Sequence, residues 1–216
     1  MTETLNLLIN TLKVKNFFIA GNSMGGGIAL NYTLKYPHKV KGLILISSEG
    51  VPNSTEGYDA SLFSDEKTIL PTDPNYNKLS KTELFFSKFI GPSVIKSTLN
   101  KLIANKKLLT PQFISRFAKI IRYKGNREAN ILMFRQWKTL NDDPRDLEPQ
   151  LHEIQVPVLY MHGEEDNLVP IEVANIFCAK LPKCKLKIYK NTGHMTMIEK
   201  PNQTAQDTIN FIKGIY

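Results

Sequence analysis

Phe17-Phe18-Ile19-Ala20-Gly21-Asn22-Ser23-Met24-Gly25-Gly26-Gly27 is the stretch whose reading decides the fold. A short β-prone apolar run meets G-x-S-x-G, and a small-residue segment then continues as an amphipathic pattern to Tyr36. That order predicts a strand, a tight turn and a helix, with Ser23 at the apex of the turn. Gly21 and Gly25, two residues either side of Ser23, are expected where side chains would collide as strand and helix close on each other. The serine is expected in a strained backbone conformation that exposes its hydroxyl above the sheet. The Met24 N–H then lies at a helix N-terminus, aimed where negative charge develops on an attacked carbonyl.

Around this turn the chain alternates. Leu5, Leu8, Ile9 and Leu12 recur at helical spacing, predicting a helix with one apolar face over 4–12. The helix after Ser23 stops at Tyr36-Pro37, because proline cannot continue it. Val40 to Ser47 reads as a second strand, apolar on both faces, as in a parallel sheet covered by helices. Residues 53–77 are rich in Ser, Thr, Asp, Asn and Pro and read as an irregular excursion. Helical patterns follow over 80–90, 92–104, from Thr110-Pro111 onward, and over 127–140. The sheet resumes with strands at 156–163 and 185–189, separated by a helix over 171–180, and a helix over 201–215 closes the chain. The expected organisation is an α/β core in two parts, 1–50 and 153–216, with a helical cap inserted at 51–152.

Ser23 follows one strand, Asp166 another and His194 a third, so a parallel sheet places all three at its carboxyl edge. The residue types suit one chemistry. A serine hydroxyl is a weak nucleophile at neutral pH unless an imidazole takes its proton, and the imidazole needs a carboxylate on its other nitrogen. Asp166 is preferred over its neighbours Glu164 and Glu165 because Asn167-Leu168-Val169-Pro170 turns directly into a helix, and Glu49, just past the second strand, is the runner-up acid. His162 at a strand end reads as buried structure, and His38 and His152 have no motif around them. Trp137, Met133 and the cap phenylalanines read as cap core, while Arg116 and Arg135 are the cations suited to a substrate carboxylate.

The bulk numbers exclude other classes. With 216 residues and 42% hydrophobic content, the chain is long enough for a substantial core. Its longest apolar runs are strand-sized, too short to span a bilayer. The formal charge is +8 and the pI near 9.3, but the lysines are scattered and accompany no nucleic-acid motif. Cys178 and Cys184 are too few for a disulfide framework and have no metal-ligand spacing, so a reduced, cytosolic setting is expected.

Three segments together resemble the α/β-hydrolase superfamily: Gly21-Asn22-Ser23-Met24-Gly25-Gly26, Gly163-Glu164-Glu165-Asp166-Asn167-Leu168-Val169-Pro170, and Gly193-His194-Met195 with Glu199-Lys200-Pro201. The elbow and helical cap are similar to the branch containing carbon–carbon bond hydrolases of ring-cleavage products and small carboxylesterases. The resemblance implies a nucleophile at Ser23, an acid at Asp166, a base at His194 and an oxyanion donor at Met24. It implies a small-molecule ester or acyl substrate and no metal or cofactor. Serine at the elbow departs from the dehalogenase and epoxide hydrolase branches, which use aspartate. Ring-cleavage hydrolases usually carry a tryptophan soon after the histidine, where Met195-Thr196-Met197 stands here. The family also has several strands before the elbow, which supply a second oxyanion donor, whereas 16 residues precede Phe17. Two expectations follow: an N-terminally truncated and catalytically impaired hydrolase, or an oligomer or partner chain covering an exposed sheet edge. A cytoplasmic location is then conditional on no signal peptide in a missing segment.

Overall fold

The computed structural model describes residues 1–49, 78–82, 85, 91–138 and 147–215, with the side chains of 133–138 excepted. The chain divides into two compact units. The first comprises Met1–Tyr58, Leu102–Asn105 and Pro144–Tyr216, and the second Asp59–Lys101 with Lys106–Asp143. The expected excursion over 53–77 and most of the helical pattern over 80–90 lie outside the described residues.

The first unit is built on a four-stranded parallel sheet. Its strands are β1 (Phe17–Asn22), β2 (Val40–Ile46), β3 (Val158–Gly163) and β4 (Cys184–Tyr189), in the spatial order β1-β2-β3-β4. Asn22 pairs with Ile46 and Ile46 with Met161, while β3 and β4 run on to the Gly163–Tyr189 pair, and the carboxyl ends of all four parallel strands lie at one edge. All six residues of β3 are buried, as two-sided cover requires. β1 stands at one margin, and among the described strands it pairs with β2 alone.

The period-2 alternation of the strands sorts the core into two layers. Ile44, Leu159, Met161 and Tyr189 point to one face, where Phe211 of α8 (Pro201–Lys213), which follows the one-turn α7 (Thr196–Glu199), closes the cluster together with Phe18, Ile46 and Ile212. On β3 the intervening Val158, Tyr160 and His162 point to the other face, and Tyr160 stacks at 5.1 Å on Phe177 of α6 (Ile171–Lys180). Helix α2 (Met24–Lys35) buries Ala29, Leu30, Tyr32 and Thr33. Cys178 on α6 and Cys184 at the start of β4 are joined by a disulfide, which corrects the expectation of reduced cysteines. The short helix-to-strand connection reverses the chain and brings their Cα atoms to 5.1 Å.

Helix α1 (Thr2–Thr11) also differs from expectation. Of its apolar stripe Ile9 is buried, but Leu8 and Leu12 remain more than half exposed. Its polar stripe makes the contacts instead. Glu3 binds Lys35 and Tyr36, Asn6 accepts from Tyr32 and Lys39, and Asn10 accepts from Lys39. Residues 3, 6 and 10 share a helix face, so a polar seam at helical spacing holds α1 to α2 and its neighbours.

In the second unit, helices α3 (Pro92–Leu102), α4 (Pro111–Ile121) and α5 (Asn126–Lys138) follow one another. The Thr110 hydroxyl accepts from Phe113 N–H at 3.2 Å and Pro111 takes the first helical position, as the sequence indicates. Ile114 and Ala118 of α4 are buried. No helix among the described residues is long and apolar enough to cross a membrane.

The two elbow glycines separate once the structure is seen. A Cβ on Gly21 would lie 2.1 Å from Gly25 O, a backbone atom that cannot move aside. A Cβ on Gly25 meets nothing within 4 Å, so the expected collision there does not occur. The crowded helix glycine is Gly26, whose Cβ would fall 2.1 Å from Ser48 Oγ. Gly21→Ala is therefore expected to destabilise the protein by about 3 kcal/mol through overpacking. Gly25→Ala, inside α2, is expected to stabilise it by about 0.5–1 kcal/mol. Urea unfolding of the two variants checks the contrast, and equal effects would contradict it.

Candidate active site

Ser23 sits between β1 and α2 at φ 54 and ψ −125. A positive φ on a serine costs about 1–3 kcal/mol unless its surroundings enforce it. Here they do. Ser23 N–H donates to Ile46 O at 2.9 Å, and Ser23 O accepts from Gly26 N–H at 2.8 Å and Glu49 N–H at 3.1 Å. Among the described residues the Met24 N–H at the first turn of α2 has no acceptor, so it is available to an incoming oxyanion.

Asp166 follows β3. Its Oδ1 accepts from Leu168 N–H at 2.9 Å and Val169 N–H at 3.0 Å, the turn that Asn167-Leu168-Val169-Pro170 encodes. Its Oδ2 lies 2.8 Å from His194 Nδ1. Both side chains are buried, whereas Glu164 and Glu165 are exposed. Burial alone would raise the Asp166 pKa. The His194 hydrogen bond and charge, with the Val169 amide and the nearby His162, outweigh it and hold the carboxyl below its usual range. A carboxylate only accepts, so Nδ1 of His194 carries the proton and Nε2 keeps its lone pair.

The loop bearing His194 is held from three sides. His194 N–H donates to Leu102 O at 2.8 Å, and the buried Glu199 accepts from Gly193 N–H and Asn105 N–H, both at 2.8 Å. Asn22 Nδ2 donates to Ile46 O at 3.0 Å and to His194 O at 3.3 Å, tying the base loop to the elbow. Asn22 and Glu199 escape a search for reactive residues because they act on backbone groups. Their sequence signals are only the variable position of G-x-S-x-G and the Glu-Lys-Pro that opens α8.

The remaining candidates separate by position. Glu49, the runner-up acid, presents its Oε1 to Ser23 Oγ, from which it accepts at 3.4 Å. His162 is fully buried, as its strand-end position suggests. Its Nε2 lies 3.0 Å from Val169 O and 3.8 Å from Asp166 Oδ2, and its Nδ1 has no partner among the described residues. His38, His152 and Arg116 are exposed, and the side chains of Met133, Arg135 and Trp137 lie outside the described residues. The described residues contain no cluster able to hold a metal ion.

A family model of the alpha/beta hydrolase fold matches residues 1–201. The chain belongs to the alpha/beta hydrolase family. Among its relatives, a 2-hydroxy-6-oxononadienedioate/2-hydroxy-6-oxononatrienedioate hydrolase of Comamonas testosteroni is 27% identical over 208 residues, covering 95% of the chain and 65% of the relative. Lipase 1 of Psychrobacter immobilis is 23% identical over 197 residues, covering 89% and 54%. The chain thus spans less than two thirds of the length of either relative. A meta-cleavage product hydrolase from Pseudomonas fluorescens superposes with a TM-score of 0.74 at 18% identity, over 97% of this chain and 69% of that one. That likeness is one of fold.

The buried histidine gives a pH signature. Burial lowers the His162 pKa, against a smaller opposing pull from Asp166. A proton therefore binds the unfolded chain more readily than the folded one. The stabilisation is complete above the unfolded value of about 6.5 and is lost as pH falls from there toward the lowered folded value. The Asp166 contribution, also from a lowered pKa, is complete above about 3.9 and lost below it. Unfolding free energy measured against pH is expected to fall below about 6.5 in the wild type. His162→Gln, which keeps a donor toward Val169 O, is expected to lose that slope and retain the one below about 4.

Proposed function

We propose that the protein is a serine hydrolase that cleaves a carboxylic ester through an acyl-enzyme. Ser23 is the nucleophile, His194 the general base and then acid, and Asp166 the group that orients and stabilises the imidazolium. The observation that carries this reading is the 2.8 Å bond from His194 Nδ1 to Asp166, on a loop that Asn22 ties to the strained serine. Fixing the proton on Nδ1 leaves Nε2 to accept the Ser23 proton as Oγ attacks the acyl carbon. The Met24 N–H receives the developing oxyanion. His194 then returns the proton to the leaving alkoxide, and water repeats the sequence to release the acid.

A carbon–carbon bond hydrolase is the second reading, favoured by the names of relatives 26–27% identical to the chain. It uses the same serine and histidine but a different leaving group. The Met195-Thr196-Met197 that follows His194 supports the ester reading over it. Neither reading requires a metal or cofactor.

Labelling with a fluorophosphonate reads nucleophile activation without a guess at the acyl group. Labelling is expected at Ser23 and is expected to vanish in Ser23→Ala. Asp166→Asn is expected to lower ester turnover by about 10⁴-fold, because it stabilises the wrong tautomer of His194. Full labelling of Ser23→Ala would overturn the assignment. Turnover of p-nitrophenyl butyrate against that of a ring-cleavage dienoate separates the two bond types.

A further inference from the structure

The loop that follows β2 is hydrogen-bonded at each of its residues, twice to β3 and once to the elbow. Ser47 N–H donates to Met161 O at 2.9 Å, Ser48 N–H to the Tyr160 hydroxyl at 3.0 Å, and Glu49 N–H to Ser23 O at 3.1 Å. Ser48 Oγ donates to Glu49 O at 2.7 Å. Gly26, in the first turn of α2, fits against this loop only because it lacks a side chain. A Cβ on Gly26 would overlap Ser48, and one on Gly27 would lie 3.8 Å from Glu49 Cβ. Glu49 is thereby fixed beside the nucleophile rather than carried on a free connection. Its side chain places a carboxylate oxygen 3.4 Å from Ser23 Oγ, which donates to it. Among the described residues, no hydrogen bond joins Ser23 Oγ to His194.

We propose that Glu49 is a second proton acceptor for the Ser23 hydroxyl, a catalytic residue working beside His194. The inference rests on Ser23 being the nucleophile. Asp166 cannot take this part, because both of its oxygens are engaged by His194 and the Leu168 and Val169 amides. A carboxylate is intrinsically a weaker base than an imidazole, so the Glu49 route is the slower one. It becomes visible when the imidazole is removed. With a fluorophosphonate the balance is simple. The Oγ–H bond breaks and its proton passes to Glu49 Oε1, Oγ forms the bond to phosphorus, and fluoride leaves with the electron pair of the P–F bond.

The test uses the full chain as wild type, Glu49→Gln, His194→Ala and the double variant, with Ser23→Ala as the blank. Fluorophosphonate labelling rates are measured on samples whose fold is checked by circular dichroism. His194→Ala is expected to label Ser23 slowly but above the blank. Adding Glu49→Gln in that background is expected to slow labelling by about tenfold or more, and by much less when His194 is present. Glu49→Asp, which withdraws the oxygen from Ser23, is expected to act like Glu49→Gln in the His194→Ala background. A merely structural Glu49 would slow both backgrounds by one factor, and that result would overturn the proposal. So would a His194→Ala variant no faster than the blank. Absence of labelling in the wild type would instead overturn the serine-nucleophile reading beneath it.

Discussion

The close approach of β1 to α2 at Gly21 is the constraint on which the rest of the site depends. The backbone of Gly25 passes where a Cβ on residue 21 would sit, which bends the chain from strand to helix within a single residue. That bend puts Ser23 at positive φ and leaves the Met24 amide at the N-terminus of α2. A looser turn would relieve the serine and lose both features together. The strain is held by backbone hydrogen bonds from β2 and its following loop rather than by the serine side chain.

A second constraint is the parallel direction of the strands, which raises the loops after β1, β2 and β3 from one edge of the sheet. Gly163 ends β3 against the turn after β4: a Cβ there would lie 2.1 Å from Gly193 O. The acid loop and the base loop are thus packed backbone to backbone before their side chains meet. The bond between Asp166 and His194 completes a geometry that the backbone has already brought within reach. Glu199, accepting from Gly193 N–H and Asn105 N–H, does the same for the far side of the base loop.

The site is electrostatically uneven. Asp166 stays a carboxylate despite burial because two amides and an imidazole replace its water. His162, on the same side of β3, is pushed toward its neutral form by burial, so one negative charge and one protonated nitrogen, that of His194 Nδ1, face each other without a competing cation. A charged His162 would draw on the same Asp166 oxygen that orients His194.

The strand–turn–helix at Ser23, the parallel strands and the Thr110 cap were legible in the sequence. Each rests on local chemistry: spacing of apolar residues, turn residues, and a proline or glycine at a position only it tolerates. What distant segments bring together was not legible. Nothing near Gly25 and Gly26 in the sequence says which of them meets Ser48. The polar seam of α1 was hidden by its more conspicuous leucines, and the Cys178–Cys184 pairing depends on how α6 returns to β4. Glu49 read as a rival partner for His194, and only the fold, by stitching its loop to the elbow, turned it toward Ser23. The sequence by itself determined which residue types could react and which elements bear them. The tertiary structure decided which of them touch, because contact between loops far apart in the chain is set by strand register and backbone packing.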